Sequence, residues 1–397
     1  MKKSILLIAA VALGFAACSD VDTLKKDIQV TDGMAISFST FSEKLTRGAT
    51  ENSDTTYSWV FYNHHNDFQV WSYKNTSTEK VFDGDSVTVT KKNANSTVTY
   101  VYEYSPLRYW DKAAEKYEFY AAAPKDKDGW EFVAPTQEDQ KNGYFKTSSE
   151  LTGTNLAWTP ATEYAQSFKD SADVDKMIAA PTTVLYANFN KPVQLNFIHI
   201  LSRLNVTIKK DTVLSKQIVK IEKFEVKNLL SEGDFDENTT VANLAKGSND
   251  RWTPGSNKVT YAATTATDTA KLFKVQEDPY YIIESLVIPQ DAELENIALD
   301  GKARTVETTT YTAIESATKP YFVITYQIWD GDTKHKPEKF TAYYNLATVF
   351  SGDTPAKLEF NEGWQNTLNL TIKPSTIDFT AEVAAWADNE VTAADVN

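Results

Sequence analysis

The chain has 397 residues, more than one hydrophobic core usually accommodates, so two domains are expected. Its formal net charge of −14 argues against nucleic-acid binding, which usually requires a basic surface. One cysteine and four histidines exclude a disulfide framework and a structural zinc site, and the 20 Tyr, 20 Phe and 9 Trp favour β-structure.

The N-terminus has the pattern of a bacterial lipoprotein signal peptide. Two lysines precede an apolar stretch at residues 5–15, which is too short to span a bilayer. Two alanines then precede Cys18, as in a lipobox, which predicts that Cys18 becomes the lipidated first residue of the exported protein. Ordinary signal-peptidase cleavage near the same alanines is the alternative. We interpret residues 1–17 as the signal peptide and the polar residues 18–33 as a tether to a membrane anchor.

The first predicted strand covers residues 34–41, where apolar and small polar residues alternate. Met34, Ile36 and Phe38 fall on one face, which is the period of a half-buried strand. A polar segment rich in Ser, Thr, Gly and Asn follows, and it carries Arg47 directly before Gly48.

Further short segments of β-branched and aromatic residues, separated by turn residues, continue along the chain. Strands are predicted at 57–64, 68–74, 85–92, 96–104, 107–124 (two strands), 191–210 (a strand pair or one bulged strand), 217–235, 278–291, 319–332, 338–346 and 364–389. Residues 125–173 are loop-rich, and residues 172–184 favour a short helical turn before Pro181. This spacing predicts an all-β chain of sandwiches, with domains at 34–190 and 191–397.

Motifs of catalysis are missing from the sequence. It contains no nucleophile elbow, Walker motif or dinucleotide-binding glycine pattern, so we expect no enzymatic activity, cofactor or metal. His199 lies in an apolar segment and is expected to be a hydrogen-bonded core residue. Trp130, Trp158 and Trp252 lie in loop-like sequence, where they would either stack on a glycan or, as most Trp residues in β-sandwiches do, fill a core.

Several segments, taken in order, resemble the fimbrillin family of Bacteroidia, the subunits and accessory lipoproteins of outer-membrane-anchored type V pili. They are the lipobox at Cys18, "RYWDKAAEKYEFYAAAP" (108–124), "LNFIHILSRLNVTI" (195–208), "SLVIPQ" (285–290) and "GWQNTLNLTI" with "IDFTAEVAAW" (363–386). The resemblance covers nearly the whole chain. It implies two tandem transthyretin-like β-sandwich domains after a lipoprotein signal peptide and tether.

The resemblance also implies that the first strand, with its loop (34–47), is removable. This strand would fill a groove until an Arg-specific, trypsin-like protease cuts between Arg47 and Gly48, after which another subunit donates a strand. The candidate donor is residues 375–386, which place their apolar side chains on one face in a pattern similar to the first strand. These side chains are Ile377, Phe379, Ala381 and Val383.

The expected function is therefore that of a structural fimbrial subunit that supports adhesion at the cell surface. Its partners would be other fimbrial subunits, the protease and a lipid anchor in the outer membrane. The alternative is a non-polymerising surface lipoprotein (an anchor, a tip or a stand-alone adhesin) that binds a host glycan or protein through loops such as 125–173. The two hypotheses differ in whether the first strand is removed.

Overall fold

The structure is a computed structural model. It describes residues 34–42, 65–75, 79–94, 97–125, 129–136, 142–153, 155–157, 173–238, 250–264, 273–293, 318–330, 338–345, 357–374 and 377–385. In this part of the chain the regular elements are strands, apart from two short 3-10 turns at Tyr186–Asn188 and Thr212–Leu214. No helix in it has the length and apolarity needed to cross a membrane. The predicted all-β fold is confirmed.

The strands of the first half of the chain are β1 (Phe38–Ser42), β2 (Asp67–Lys74), β3 (Glu79–Ala94), β4 (Thr97–Glu103), β5 (Lys116–Ala123), β6 (Glu131–Val133), β7 (Tyr144–Glu150), β8 (Asn155–Ala157), β9 (Met177–Leu185) and β10 (Val193–His199). Those of the second half are β11 (Ser202–Lys210), β12 (Ile218–Leu230), β13 (Glu232–Asp236), β14 (Trp252–Pro254), β15 (Lys258–Thr264), β16 (Phe273–Lys274), β17 (Tyr280–Val287), β18 (Gln290–Glu293), β19 (Tyr321–Trp329), β20 (Glu338–Asn345), β21 (Lys357–Phe360), β22 (Trp364–Ile372) and β23 (Ile377–Ala385).

The N-terminal half is built on one seven-stranded sheet in the order β1-β10-β9-β5-β2-β3-β4. Neighbouring strands are antiparallel except β1 and β10, which are parallel. Alternate residues of its central strands point into one apolar core; Phe68, Phe119 and Phe197 in it are completely buried. Because β1 and β4 both contribute to this core, the sheet curls until its two edges approach each other.

The C-terminal half is a sandwich of two sheets. One has the order β17-β11-β22-β23 and the other β20-β19-β12-β15-β8. Their facing side chains form a second core, in which Val206, Phe224, Phe322 and Leu368 are completely buried. This arrangement follows from the alternation of apolar and polar residues along β11, β12 and β22.

Strands from the segment 125–173 join the two halves, so the prediction of a loop-rich excursion is wrong there. β7 pairs with β13, and β8 pairs with β15, so this segment supplies strands to both a small sheet and the C-terminal sandwich. The small sheet, β14-β13-β7-β6, covers the outer face of the N-terminal sheet through a third core that includes Trp71, Phe145 and Phe235.

Two local predictions are also wrong. The helical turn expected before Pro181 is part of β9, and Pro181 fits there because it falls where the register between β5 and β9 shifts, so its missing N–H leaves no gap in the ladder. The first strand expected in 107–124 reduces to an isolated bridge between Ala35 and Tyr109.

The division at residue 190 remains a prediction about folding units, but the strand pairing crosses it. β10 hydrogen-bonds to β1 and β9, and its Leu195 and Phe197 belong to the N-terminal core. β11, only a few residues later, lies in the other half. The halves therefore meet at residues 199–202, where Ile200 and Leu201 are buried in the third core.

Buried polar groups hold this junction. His199 Nδ1 lies 2.9 Å from Asp175 Oδ2 with both side chains buried, which confirms His199 as a hydrogen-bonded core residue. Arg251 binds both carboxylate oxygens of Glu362, with Nε at 3.2 and 2.9 Å. Burial raises the pKa of Glu362 to about 7, although the Arg251 guanidinium acts in the opposite direction.

The raised pKa of Glu362 predicts a pH dependence of stability. An acid whose pKa is higher in the folded state binds a proton on folding, so its contribution is present below the unfolded pKa of about 4.3 and is lost as pH rises through the folded pKa. The contribution of Glu362 to the free energy of unfolding should therefore fall between about pH 4.3 and 7, by roughly 4 kcal/mol at most. Glu362→Gln should reduce this fall.

Urea unfolding at pH 5 and pH 8 measures the effect. Glu359→Gln is the matched control, because Glu359 is an exposed carboxylate only three residues away. An equal pH dependence in the wild type and Glu362→Gln would contradict the assignment.

Candidate strand-exchange site

The predicted first strand is an edge strand of the N-terminal sheet. β1 pairs with β10 alone in the ladder, from Phe38 opposite Val193 to Ser42 opposite Phe197. Parallel strands cannot be joined by a tight hairpin, and here about 150 residues of chain separate the two strands. β1 is thus inserted into the sheet from a distant part of the sequence.

Alternate side chains of the first strand enter the core. Ile36, Phe38 and Thr40 are buried, with exposed fractions of 1%, 4% and 3%. Met34, predicted with Ile36 and Phe38 on the apolar face, is 58% exposed because it lies beyond the end of the core. The inserted set is therefore Ile36, Phe38 and Thr40.

Phe38 is the centre of an aromatic cluster. Its ring makes edge-on contacts with four rings, at centroid distances of 5.6 to 6.1 Å. These rings belong to Phe68, Phe82, Tyr104 and Phe119, so they come from β2, β3, the end of β4 and β5. Edge-on pairs add stability beyond the burial of area, and removal of Phe38 would leave a hole among all four rings.

Two tyrosines bind the edge of β1 that has no neighbouring strand. The Thr40 N–H donates to the Tyr102 hydroxyl at 3.1 Å, and the Thr40 and Tyr102 hydroxyls are 2.8 Å apart. The Tyr104 hydroxyl donates to the Ile36 carbonyl at 2.6 Å. Burial raises the pKa of Tyr104 to about 12, so this hydroxyl keeps its proton at physiological pH. The tyrosines thereby satisfy backbone groups that a further strand would otherwise satisfy.

The start of the strand is held by the segment after β4. The Ile36 N–H donates to the Arg108 carbonyl at 2.8 Å, and the Trp110 N–H donates to the Met34 carbonyl at 3.1 Å. β1 is therefore fixed by one ladder, a few single hydrogen bonds and its buried side chains. An extended segment of another chain that carries similar side chains can make the same contacts.

The predicted processing residues lie outside the described part of the chain. These residues are Cys18, Arg47 and Gly48. The first described segment ends at Ser42, five residues before Arg47. These three assignments remain predictions.

The predicted donor strand, β23, lies at the edge of its own sheet. It pairs with β22 over its full length, from Ile377 opposite Ile372 to Ala385 opposite Trp364. The Ile377 side chain is buried in the C-terminal core. Phe379, Ala381 and Val383 lie opposite Leu370, Leu368 and Asn366 in the backbone register.

A family model described as fimbrillin-like matches residues 46–386 of this chain. The chain belongs to the fimbrillin-like family. Members of this family are fimbria-related structural proteins of the cell surface, and the predicted family resemblance is confirmed. The matched region begins at Thr46, so β1 lies outside it.

Solved structures of Bacteroidales proteins resemble this fimbrillin-like protein at low sequence identity. A fimbrial protein from Bacteroides vulgatus is 15% identical and has a TM-score of 0.52, with 89% of this chain and 99% of that chain covered, which shows a shared fold. A putative cell adhesion protein from Bacteroides uniformis is 13% identical, with 90% and 100% covered and a TM-score of 0.42. The tip fimbrial protein Mfa3 from Porphyromonas gingivalis is 8% identical, with 82% and 96% covered and a TM-score of 0.33. Comparison with curated protein sequences gives no significant match.

Two of the three tryptophans proposed for glycan stacking are packed inside the fimbrillin-like fold. Trp252 is 5% exposed and donates its indole N–H to the Ile200 carbonyl at 2.8 Å. Trp130 is half-buried, donates to the Pro124 carbonyl and packs against Phe145. Trp158 lies outside the described residues. For the first two, the core-filling interpretation is correct.

No cluster of three potential metal-binding side chains occurs among the residues that the structure describes. His65 is buried, and the adjacent His64 lies outside this part of the chain.

Tyr102 and Tyr104 are functional candidates that the sequence analysis missed. The alternation of Tyr100, Tyr102 and Tyr104 predicted a strand, but tyrosine at every second position is also what a simple half-buried strand shows. Their contact with β1 depends on the curling of the sheet, which brings together residues more than 60 positions apart.

Phe38→Ala should loosen the first strand. Loss of a large buried aromatic side chain costs about 3–5 kcal/mol, and here that cost falls on an edge strand with one ladder. Amide hydrogen exchange of residues 36–42, followed by mass spectrometry, should accelerate by more than about tenfold. Ser37→Ala is the control because its side chain points to solvent, and equal exchange in both variants would argue against Phe38 as the anchor.

Tyr104→Phe should weaken the same strand by a smaller amount. It removes the hydrogen bond to the Ile36 carbonyl, worth about 1 kcal/mol, together with two longer contacts to the Arg108 backbone, and keeps the ring in place, so exchange in β1 should rise roughly fivefold. Tyr109→Phe removes a phenol hydroxyl from a ring that is 45% exposed and should leave exchange unchanged. If both variants behave alike, the Tyr104 hydroxyl does not hold β1.

Proposed function

We propose that this protein is a structural subunit of an outer-membrane-anchored fimbrium that assembles by strand exchange and supports adhesion. The observation that carries the proposal is the state of the first strand. β1 supplies the buried Ile36, Phe38 and Thr40 to a core made otherwise by later strands, yet it pairs with only one neighbour. Such a strand is stable in place and is also replaceable by another extended segment.

The proposed assembly starts from a lipoprotein anchored through Cys18 in the outer membrane. An Arg-specific protease cuts between Arg47 and Gly48, which separates β1 and the lipid from the rest of the chain.

Departure of β1 would uncover the aromatic cluster and the free edge of β10. Phe68, Phe82 and Phe119 are completely buried while β1 is present, so their exposure to water is strongly unfavourable. The unpaired backbone of β10 and the Tyr102 and Tyr104 hydroxyls would also need partners. A strand from another subunit satisfies all these groups at once.

The proposed donor is β23 of a second subunit, with Ile377, Phe379, Ala381 and Val383 facing the acceptor core. Donation from the C-terminus of one copy to the N-terminal domain of the next gives a head-to-tail contact that does not close on itself, and such a contact grows into a filament.

A second candidate function is favoured by the position of β23. Since this strand is paired with β22 along all nine residues of its length, a copy that keeps it there would not donate. Such a copy would act as an anchor, a tip or a stand-alone adhesin at the cell surface, with its lipid and first strand retained.

The first experiment is to sequence the N-terminus, and measure the intact mass, of protein isolated from its native cell surface. We expect a start at Gly48 without lipid in multimeric protein. Arg47→Ala should leave the chain starting at acylated Cys18 and reduce multimers at least about tenfold.

Lys44→Ala is the matched control, because it removes a neighbouring basic residue and leaves Arg47 in place. Wild-type protein that starts at acylated Cys18 and remains monomeric would contradict the strand-exchange proposal and favour the second candidate.

A further inference from the structure

Seven large hydrophobic side chains are exposed among the described residues. Leu107, Tyr109, Leu185 and Tyr186 are 42–57% exposed, and we refer to these four as the entry patch. Met34 lies beside them, whereas Val174 and Val213 are elsewhere. Apolar side chains that gather on one surface mark contact sites more reliably than scattered ones do.

Trp110 and Phe189 connect Tyr109 to Tyr186. Tyr109 forms a bridge with Ala35, next to the Trp110–Met34 hydrogen bond. The Trp110 ring stacks on Phe189 at 4.7 Å, and Phe189 contacts the Tyr186 ring at 5.3 Å. Tyr109 and Tyr186 therefore lie near the end of the groove at which β1 enters, and Leu107 and Leu185 are close to them in sequence.

Strand directions place this end far from the junction between the halves. β1 begins opposite Val193, the first residue of β10, while His199 at the other end of β10 lies at the junction. Seven residues of strand correspond to about 20 Å. The entry patch thus forms the N-terminal pole of the subunit.

The start of β23 lies at the opposite pole. β11 leads away from the junction to Lys210, which pairs with Ile372, and Ile372 pairs with Ile377. The Asp211 N–H donates to the Ile372 carbonyl at 2.9 Å, which places the turn after β11 beside the root of β23.

Val213 lies on this turn, with its side chain exposed to solvent. Its side chain is 71% exposed although the turn itself is rigid. Asp211 accepts a hydrogen bond from the Val213 N–H at 2.9 Å, and the buried Lys210 ammonium donates to the carbonyls of Leu214, Ser215 and Gln217 at 3.0–3.3 Å. A fixed, exposed valine at the donor root is suited to contact another apolar surface.

Side-chain order fixes the direction in which β23 fits the groove. In the direction of β1, Ile377 replaces Ile36, Phe379 replaces Phe38, and the small Ala381 replaces Thr40. In the opposite direction with Phe379 kept in the aromatic cluster, Ala381 would leave a cavity at the Ile36 position, and Ile377 would meet the Tyr102 hydroxyl. The same direction is therefore favoured, and it brings the root of the donor to the entry patch.

We propose that the entry patch is the docking surface for the C-terminal pole of a second copy of this chain, with Val213 of the donor seated against it. The inference rests on the proposed strand exchange and adds a surface contact outside the groove. Only four residues separate Ile372, the end of β22, from Ile377, so an inserted β23 holds the C-terminal pole of its own subunit close to the groove. Burial of both surfaces would accompany insertion of the strand.

Charged substitutions at the two poles test the proposal in the full chain expressed in its native cells. Leu185→Asp and Val213→Asp should each reduce the fraction of protein in multimers at least about tenfold, because a charge is then buried at the contact. N-terminal sequences should still start at Gly48. Val174→Asp, at a side chain 43% exposed near the junction, is the matched control and should assemble as the wild type does.

A cross-link provides a second readout. Because Cys18 is the one cysteine of the chain and would leave with the first strand, Val213→Cys and Tyr186→Cys introduce clean probes. A mixture of the two variants should give a cross-linked dimer, and replacing the first by Val174→Cys should not.

The outcomes separate the two proposals. Normal assembly of Leu185→Asp and Val213→Asp, without the cross-link, would overturn the docking surface and leave strand exchange intact. Wild-type protein that is neither cut at Arg47 nor multimeric would overturn both.

Discussion

The N-terminal domain depends on the burial of Phe38 by its four aromatic neighbours. These neighbours come from four different positions along the sheet, so the Phe38 ring closes a core that no other described segment fills. Because Phe38 lies on a strand with one ladder, the ring at the centre of this cluster is supplied by an edge segment of the backbone. Strand exchange requires both features: a groove whose apolar side chains must be covered, and a covering strand that another strand can replace.

Strand pairing links the two halves of the molecule. β7 and β8 come from the N-terminal half of the sequence and pair with β13 and β15 of the other half. Buried pairs such as His199 with Asp175 and Arg251 with Glu362 fix the same region.

The two edge strands give the subunit a direction. β1 enters at the N-terminal pole, where five of the seven exposed large hydrophobic side chains of the described residues lie, and β23 is rooted at the C-terminal pole, near Val213. In the proposed assembly the contact joins two different surfaces, so it is heterologous and repeats along a line. It would give a role to Val213, which is exposed on a turn whose backbone is held by hydrogen bonds.

Local patterns in the sequence determined the β-class, most of the long strands and the apolar face of the first strand, because alternation with a period of two is visible in any half-buried strand. The arrangement of these strands was decided by tertiary structure. β7 and β8 are short and become strands through their distant partners β13 and β15, and Pro181 is accepted in β9 only because a bulge falls there. Trp252 looked like a loop residue until the third core enclosed it. Likewise, nothing local to Tyr102 and Tyr104 reveals that they bind β1, since that contact requires the edges of the sheet to meet.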